Sequence, residues 1–238
     1  MRPSTTYIDR GVVLHSTKYG ENQLIVHLLT LKSGRRSYIT RIGKSSGHNI
    51  FQPLFLVEFE ASACHGELHR LSSAVASFQL RNIPFDIKKN TISLFLSELL
   101  YRLVREPLDD ERMYLFVEQS IQQLDAMTLG VANFHLWFLV HLAHFMGYEI
   151  DREYHSTWWF DMRMGAFCPI EPAHLQKINP RYAAMLSLIV DAQTENLSTI
   201  ELHQCDRVAL LTALVDYYAY HSEMIRSVRS IEILSSIF

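Results

Sequence analysis

Residues 22–41 read NQLIVHLLTLKSGRRSYITR, two strand-like runs around a turn. The first run is apolar and rich in Ile, Val and Thr. Lys32-Ser33-Gly34 is a turn signal, and Ser37 to Thr40 is β-branched and aromatic again. That pattern predicts a β-hairpin. Strand alternation would put Arg35, Ser37, Ile39 and Arg41 on one side of the returning strand and Arg36, Tyr38 and Thr40 on the other. The hairpin also concentrates charge. No acid occurs from Asn22 through Val57, whereas Lys32, Arg35, Arg36, Arg41 and Lys44 all fall inside.

The same texture extends to both sides. GVVLHST, from Gly11, is a short β-rich run. GKSSGHN has loop composition. In LFLVEFEASA, Leu56, Glu58 and Glu60 alternate with Val57, Phe59 and Ala61. CHGE is a turn, and LHRLSSAVASFQL supplies a last strand. About five short strands in about 75 residues must close on themselves or expose a face. A five-stranded OB-type barrel matches that size, and an SH3-like barrel also fits the strand count.

From RNIPFD onward the texture is helical, so the expected division is residues 1–81 and 82–238. NTISLFLSELLYRLVRE presents one broad apolar face, with Asn90 or Thr91 as the N-cap and Pro107 as the stop. DDERMYLFVEQSIQQLDAM opens with acids that suit the positive end of a helix dipole. GVANFHLWFLVHLAHFMGY is apolar nearly all round and reads as a buried central helix ended at Gly147. NPRYAAMLSLIVDAQ starts with Pro180 in its first turn. A long C-terminal helix follows from Cys205. Between residues 149 and 175 the texture is irregular. The predicted class is α+β, an OB-type barrel followed by an all-α bundle.

Composition narrows the function classes. The chain has 238 residues, 48% hydrophobic and 20% charged, an ordinary globular balance. No secretory h-region opens it. The longest apolar stretch is interrupted by His135, His141 and His144 and is too short to span a bilayer. Three well-separated cysteines, Cys64, Cys168 and Cys205, suit a reducing cytoplasm. Net charge is −3, yet residues 1–81 carry 10 Lys+Arg against 5 Asp+Glu, and the remainder 12 against 20. Such asymmetry points to an anionic partner for the basic part; the bland alternative is a solvated basic face.

Catalytic motifs fail when tested. GKSS resembles the end of a phosphate-binding loop, but the required preceding glycine is Tyr38. His141 and His144 lack a His-Glu-x-x-His pattern, and Cys64-His65 with His69 lacks a second cysteine pair. No Gly-x-Ser-x-Gly elbow is present. The expectation is a protein that is not an enzyme, with no cofactor and no metal. The basic hairpin is different, because single-stranded nucleic acid needs cations along a groove and aromatic faces for its bases. Lys32, Arg35, Arg36, Arg41 and Lys44 supply charge. Tyr38 either supplies a face or packs in the core.

The order of these features resembles the RecO family of bacterial recombination mediators. It rests on Gly-Val-Val-Leu, then YGENQLIVHLLTLKSG, a basic RIGKSSG loop, and FQPLFLVEFE; further on, FHLWFLVHLAHFMGY and FDMRMGAF are similar too. The resemblance implies an OB-fold, a helical bundle and a non-enzymatic role in recombinational DNA repair. It implies DNA binding and strand annealing. It also implies work with RecR to help RecA replace single-strand-binding protein (SSB), in the cytoplasm at the nucleoid. SSB would dock through its acidic tail, for which Arg102, Arg105 and Arg112 are receptors by residue type. Some members carry a four-cysteine zinc site after the Gly-Tyr helix; here that region offers only Cys168, with His155 nearby, so none is expected. The alternative is an OB-type scaffold for RNA or a protein partner.

Overall fold

The hairpin turn closes where the sequence places it. The computed structural model describes residues 6–41, 48–63, 68–104, 110–222 and the positions 230, 234 and 237. Strand β2 (Gln23–Thr30) pairs antiparallel with β3 (Gly34–Arg41), from Thr30 opposite Gly34 to Gln23 opposite Arg41. Gly34 has φ of +59°, a left-handed value that costs glycine least. The Thr30 hydroxyl accepts from the Ser33 N–H at 3.1 Å and donates to the Gly34 carbonyl at 2.8 Å.

Strand β1 (Thr6–Tyr19) pairs antiparallel with β2 and with β4 (Leu56–Ser62). Strand β5 (Leu68–Ala76) pairs antiparallel with β4 and parallel with β3, which closes a barrel in the order β1-β2-β3-β5-β4. The N-terminal domain is therefore the OB-type barrel. Its core holds Val13, Leu24, Val26, Leu28, Tyr38, Val57, Phe59 and Leu71. Gly11 opens the GVVL run because a Cβ there would come within 3.2 Å of both Leu28 and Phe59.

Residues 1–125 form one compact unit and residues 126–238 a second. The strands give way to helices near residue 81, and the first unit continues through α1 (Ile87–Leu103) and nearly all of α2 (Glu111–Ala126). The N-cap of α1 is Asp86, whose carboxylate accepts from the Lys88 and Lys89 N–H groups; the expected caps, Asn90 and Thr91, lie inside the helix. Pro107 falls outside the described residues. The linker is fastened to the end of α2. The buried Asp125 carboxylate accepts from the backbone N–H of Arg81, Asn82 and Ile83 at 2.8–3.0 Å, and Lys89 Nζ donates to the Asp125 carbonyl at 2.7 Å. Burial depresses the Lys89 ammonium below its ordinary range.

In the second unit α3 (Phe134–Phe145) is buried nearly all round, and Gly147 follows it at φ of +80°. The Asn179 side chain caps α4 (Pro180–Val190) by accepting from the Tyr182 N–H. The last long helix is α5 (Gln204–His221), which Tyr218 ties to α3 by donating to the Leu139 carbonyl at 2.7 Å. The irregular region carries a small sheet that sequence texture misses: β6 (Trp159–Asp161), β7 (Ala166–Cys168) and, just beyond, β8 (Lys177–Ile178). Strands of two or three residues carry too few alternations to be legible. Among the described residues no helix is long and apolar enough to cross a membrane, and no three His, Cys, Asp or Glu residues group as metal ligands.

Replacing Asp125 with alanine orphans three backbone donors at once. Only the Ile83 donor is on a buried residue, where an unsatisfied group costs about 1–3 kcal/mol; water can reach those of the exposed Arg81 and Asn82, which lose less. Asp125→Ala is expected to lower the stability of the first unit by roughly 2–4 kcal/mol, read as lost hydrogen-exchange protection of the barrel amides. Asp125→Asn, which keeps one acceptor oxygen, is expected to lose less.

Candidate nucleic-acid interface

Barrel closure decides which β3 side chains a ligand can meet. Tyr38 points inward and is 0% exposed. Its ring packs edge-to-face on Phe59 at 4.9 Å. Its hydroxyl accepts from Tyr7 at 3.4 Å, and Tyr7 in turn lies 2.6 Å from His69 Nδ1. Burial, reinforced by Tyr7, holds the Tyr38 phenol far above its usual range. The stacking role considered for Tyr38 is therefore corrected: its ring is core and offers no face to a base.

The four described cations of the acid-free stretch, Lys32, Arg35, Arg36 and Arg41, do not form one surface. Arg35 and Arg41 are six residues apart on an extended strand, about 20 Å at roughly 3.3 Å per residue. Arg35 lies toward the turn, where its Nη1 donates to the carbonyls of Tyr101 at 2.6 Å and Val104 at 3.0 Å. Its guanidinium also stacks over the Tyr101 ring at 4.2 Å. Carbonyls at a helix C-terminus carry the negative end of the dipole, so a cation is stabilising there. Arg35, expected as a phosphate ligand, fastens α1 to the barrel. His15 and His27 complete that contact, each ring 5.0 Å from Tyr101. Lys32 is exposed beside the turn and donates to the Ile8 carbonyl at 2.9 Å. Arg36 is half-buried on the inward-facing side of β3, and its charge helps depress the His69 imidazole, after burial. Lys44 lies outside the described residues.

Among the described residues nothing covers the far end of the hairpin. Tyr19, Gln23 and Arg41 are register partners across β1, β2 and β3 and share the outer face. Pairing of β3 with β5 runs from Ser37 opposite Leu68 to Ile39 opposite Arg70. Beyond it lies a cleft of about 340 Å³ lined by Gln23, Ile39, Thr40, Arg41, Arg70, Leu71 and Ser72. Arg41 and Arg70 are exposed, and no carboxylate among the described residues forms an ion pair with either. Tyr19 is 56% exposed at one end of this strip. The exposed acids Glu58 and Glu60 stand on the outer face of β4 instead. Arg70 and Tyr19 escape the sequence reading because neither lies in the acid-free hairpin. The alternation of LHRLSS, once read as a strand, puts Arg70 opposite in direction to His69.

The residues considered as receptors for an acidic tail fall differently. Arg102 on α1 is bonded to Glu98 one turn earlier, at 2.7 Å. Arg112 is exposed and pairs with Asp110 at 3.2 Å. Arg105 lies outside the described residues.

Two family models match the chain: "Recombination protein O N terminal" over residues 1–78 and "Recombination protein O C terminal" over residues 84–229. Among curated proteins, a "DNA repair protein RecO" of Porphyromonas gingivalis is 34% identical, covering 97% of this chain and 98% of its own. Proteins of the same description from Bacteroides fragilis and Phocaeicola vulgatus are 32% and 30% identical, each covering 96% of this chain and 97% of theirs.

The clasp of α1 on the barrel should be acid-sensitive. Burial first, then the Arg35 and His15 charges, push the His27 imidazole down to about 4 from an ordinary 6.5. A base depressed in the folded state contributes stability that is fully present above its unfolded value and is lost as pH falls through the folded one. The first unit is therefore expected to lose stability between about pH 6.5 and pH 4, and His27→Gln to flatten that loss. Thermal unfolding of both proteins across this range checks the difference.

Proposed function

The chain belongs to the recombination protein O (RecO) family of DNA repair proteins, and on that premise we propose that its barrel binds single-stranded DNA along the strip from Tyr19 to Arg70. The observation that carries the reading is the pair Arg41 and Arg70, two exposed cations without carboxylate partners among the described residues, flanking one cleft. OB-type barrels take oligonucleotides on the face of strands 2 and 3, and here that face bears Gln23 and Arg41. The guanidinium groups neutralise phosphates and release counterions. Tyr19 offers an exposed ring for a base to stack on.

Annealing needs no more than this. A protein that holds a strand by its phosphates lowers the repulsion met by a complementary strand and leaves the base edges free to pair. No bond breaks, so neither catalytic residue nor cofactor is required. In the cell, at the nucleoid, this activity would work with RecR to help RecA replace SSB. The acidic SSB tail would bring carboxylates to an exposed cation. Arg112 suits that contact better than Arg102, because its own partner pair is open to solvent, where screening makes it exchangeable. Lys32 and Arg36 would add charge at the margins of the barrel.

The test is binding of a labelled oligothymidylate across a salt series. For single strands log K falls with log salt by about 0.7 per neutralised phosphate. The double variant Arg41→Ala, Arg70→Ala is expected to weaken binding and reduce the slope by about 1.4, and to slow annealing of SSB-coated complementary strands. Arg35→Ala is expected to lower stability while leaving the slope unchanged. A double variant that binds with unchanged affinity and slope would contradict the proposal. Tighter binding that depends on the 2′-hydroxyl would move the reading to RNA.

A further inference from the structure

We infer that the docked C-terminal turn of α1 ends the nucleic-acid strip and turns the bound strand across β3 onto β5, giving the barrel a short footprint. This rests on the reading of the strip as a single-strand surface. The outward residues of β2 are Gln23, Ile25, His27 and Leu29 in order along the strand. Leu29 is fully buried although it is not part of the barrel core. Its register partner is Arg35, which is held against α1 by the Tyr101 and Val104 carbonyls. One step along, the Tyr101 ring lies 5.0 Å from His27. A strand running down the hairpin toward α1 would therefore meet an aromatic wall and a guanidinium already bonded to two carbonyls.

In the other direction no described residue closes the path. Gln23, Ile39 and Arg41 line the cleft, and Arg70 stands across it on β5. The cations available to phosphates therefore succeed one another across the strands rather than along β3. From Tyr19 on β1 to Arg70 on β5 there are three interstrand steps, about 14 Å at roughly 4.8 Å each. That length favours the lower end of the roughly 4–16 nucleotides that OB folds hold. Arg35 and Tyr101 act as positioning residues: they touch no nucleotide, and they fix where the path stops.

Photo-crosslinking of the full chain with an oligothymidylate carrying 4-thiothymidine tests this, with adducts located by mass spectrometry. Adducts are expected on Tyr19 and on the β5 segment around Arg70, with none on His27 or Tyr101. In the double variant Arg35→Ala, Tyr101→Ala the adducts are expected to extend to His27, a change that a purely structural role would not produce. Adducts on His27 or Tyr101 of the native chain at the frequency seen on Tyr19 would overturn the inference and leave the DNA reading standing. So would an unchanged adduct map in a folded double variant. Adducts absent from the whole barrel would overturn the DNA reading, and this inference with it. The native-chain map decides the matter by itself should the double variant fail to fold.

Discussion

Closing five strands into a barrel leaves each residue of β3 two directions, and the inward one takes Tyr38 against Phe59. Once that ring is inside, Arg35, Ser37, Ile39 and Arg41 must all face outward, because the side-chain period of a strand is two. A shift of one residue would bury the outward arginines and expose the ring, so register is strongly specified. The same closure makes β5 the neighbour of β3, and only that pairing brings Arg70 beside Arg41. The cleft is thus a consequence of the core rather than a feature added to the surface.

Charge in the first unit is divided between fastening and display. Arg35 neutralises the carbonyl end of α1, and Asp125 gathers three linker N–H groups at the end of α2. Both are ionic groups that meet backbone dipoles in partly or fully desolvated places, where a charge-assisted hydrogen bond is strong. Arg41 and Arg70 have no such duty among the described residues and are exposed, the condition for exchanging counterions with a phosphate backbone. The exposed acids of β4 stand on the strand next to β5, and none of the residues lining the cleft is acidic although the chain as a whole is.

Much of this is legible in the sequence, and the misses have physical causes. The hairpin, the five-strand barrel and the buried helix ending at Gly147 follow from local patterns of period two and 3.6, which a single sequence displays. The charge surplus of the N-terminal part is legible too, but its meaning is not. Lys32 to Lys44 is one run in sequence, while an extended strand separates Arg35 from Arg41 and barrel closure brings Arg41 to one cleft with Arg70, some 30 residues away. Which cation is engaged by a helix end depends on where α1 lies, a tertiary fact. Asp86 displaced the expected caps Asn90 and Thr91 because the helix begins one turn earlier, directly after the linker that Asp125 holds. The small sheet of β6, β7 and β8 escaped because its strands are shorter than one alternation pattern.

The proposed nucleic-acid surface is the outer strip across β2, β3 and the start of β5. Backbone amide chemical-shift mapping during titration of the full chain with oligothymidylate tests it most directly. The largest shifts are expected at Gln23, Ile39, Arg41 and Arg70, with little change at Glu58. Shifts centred on β4, or confined to the helices of the second unit, would contradict it.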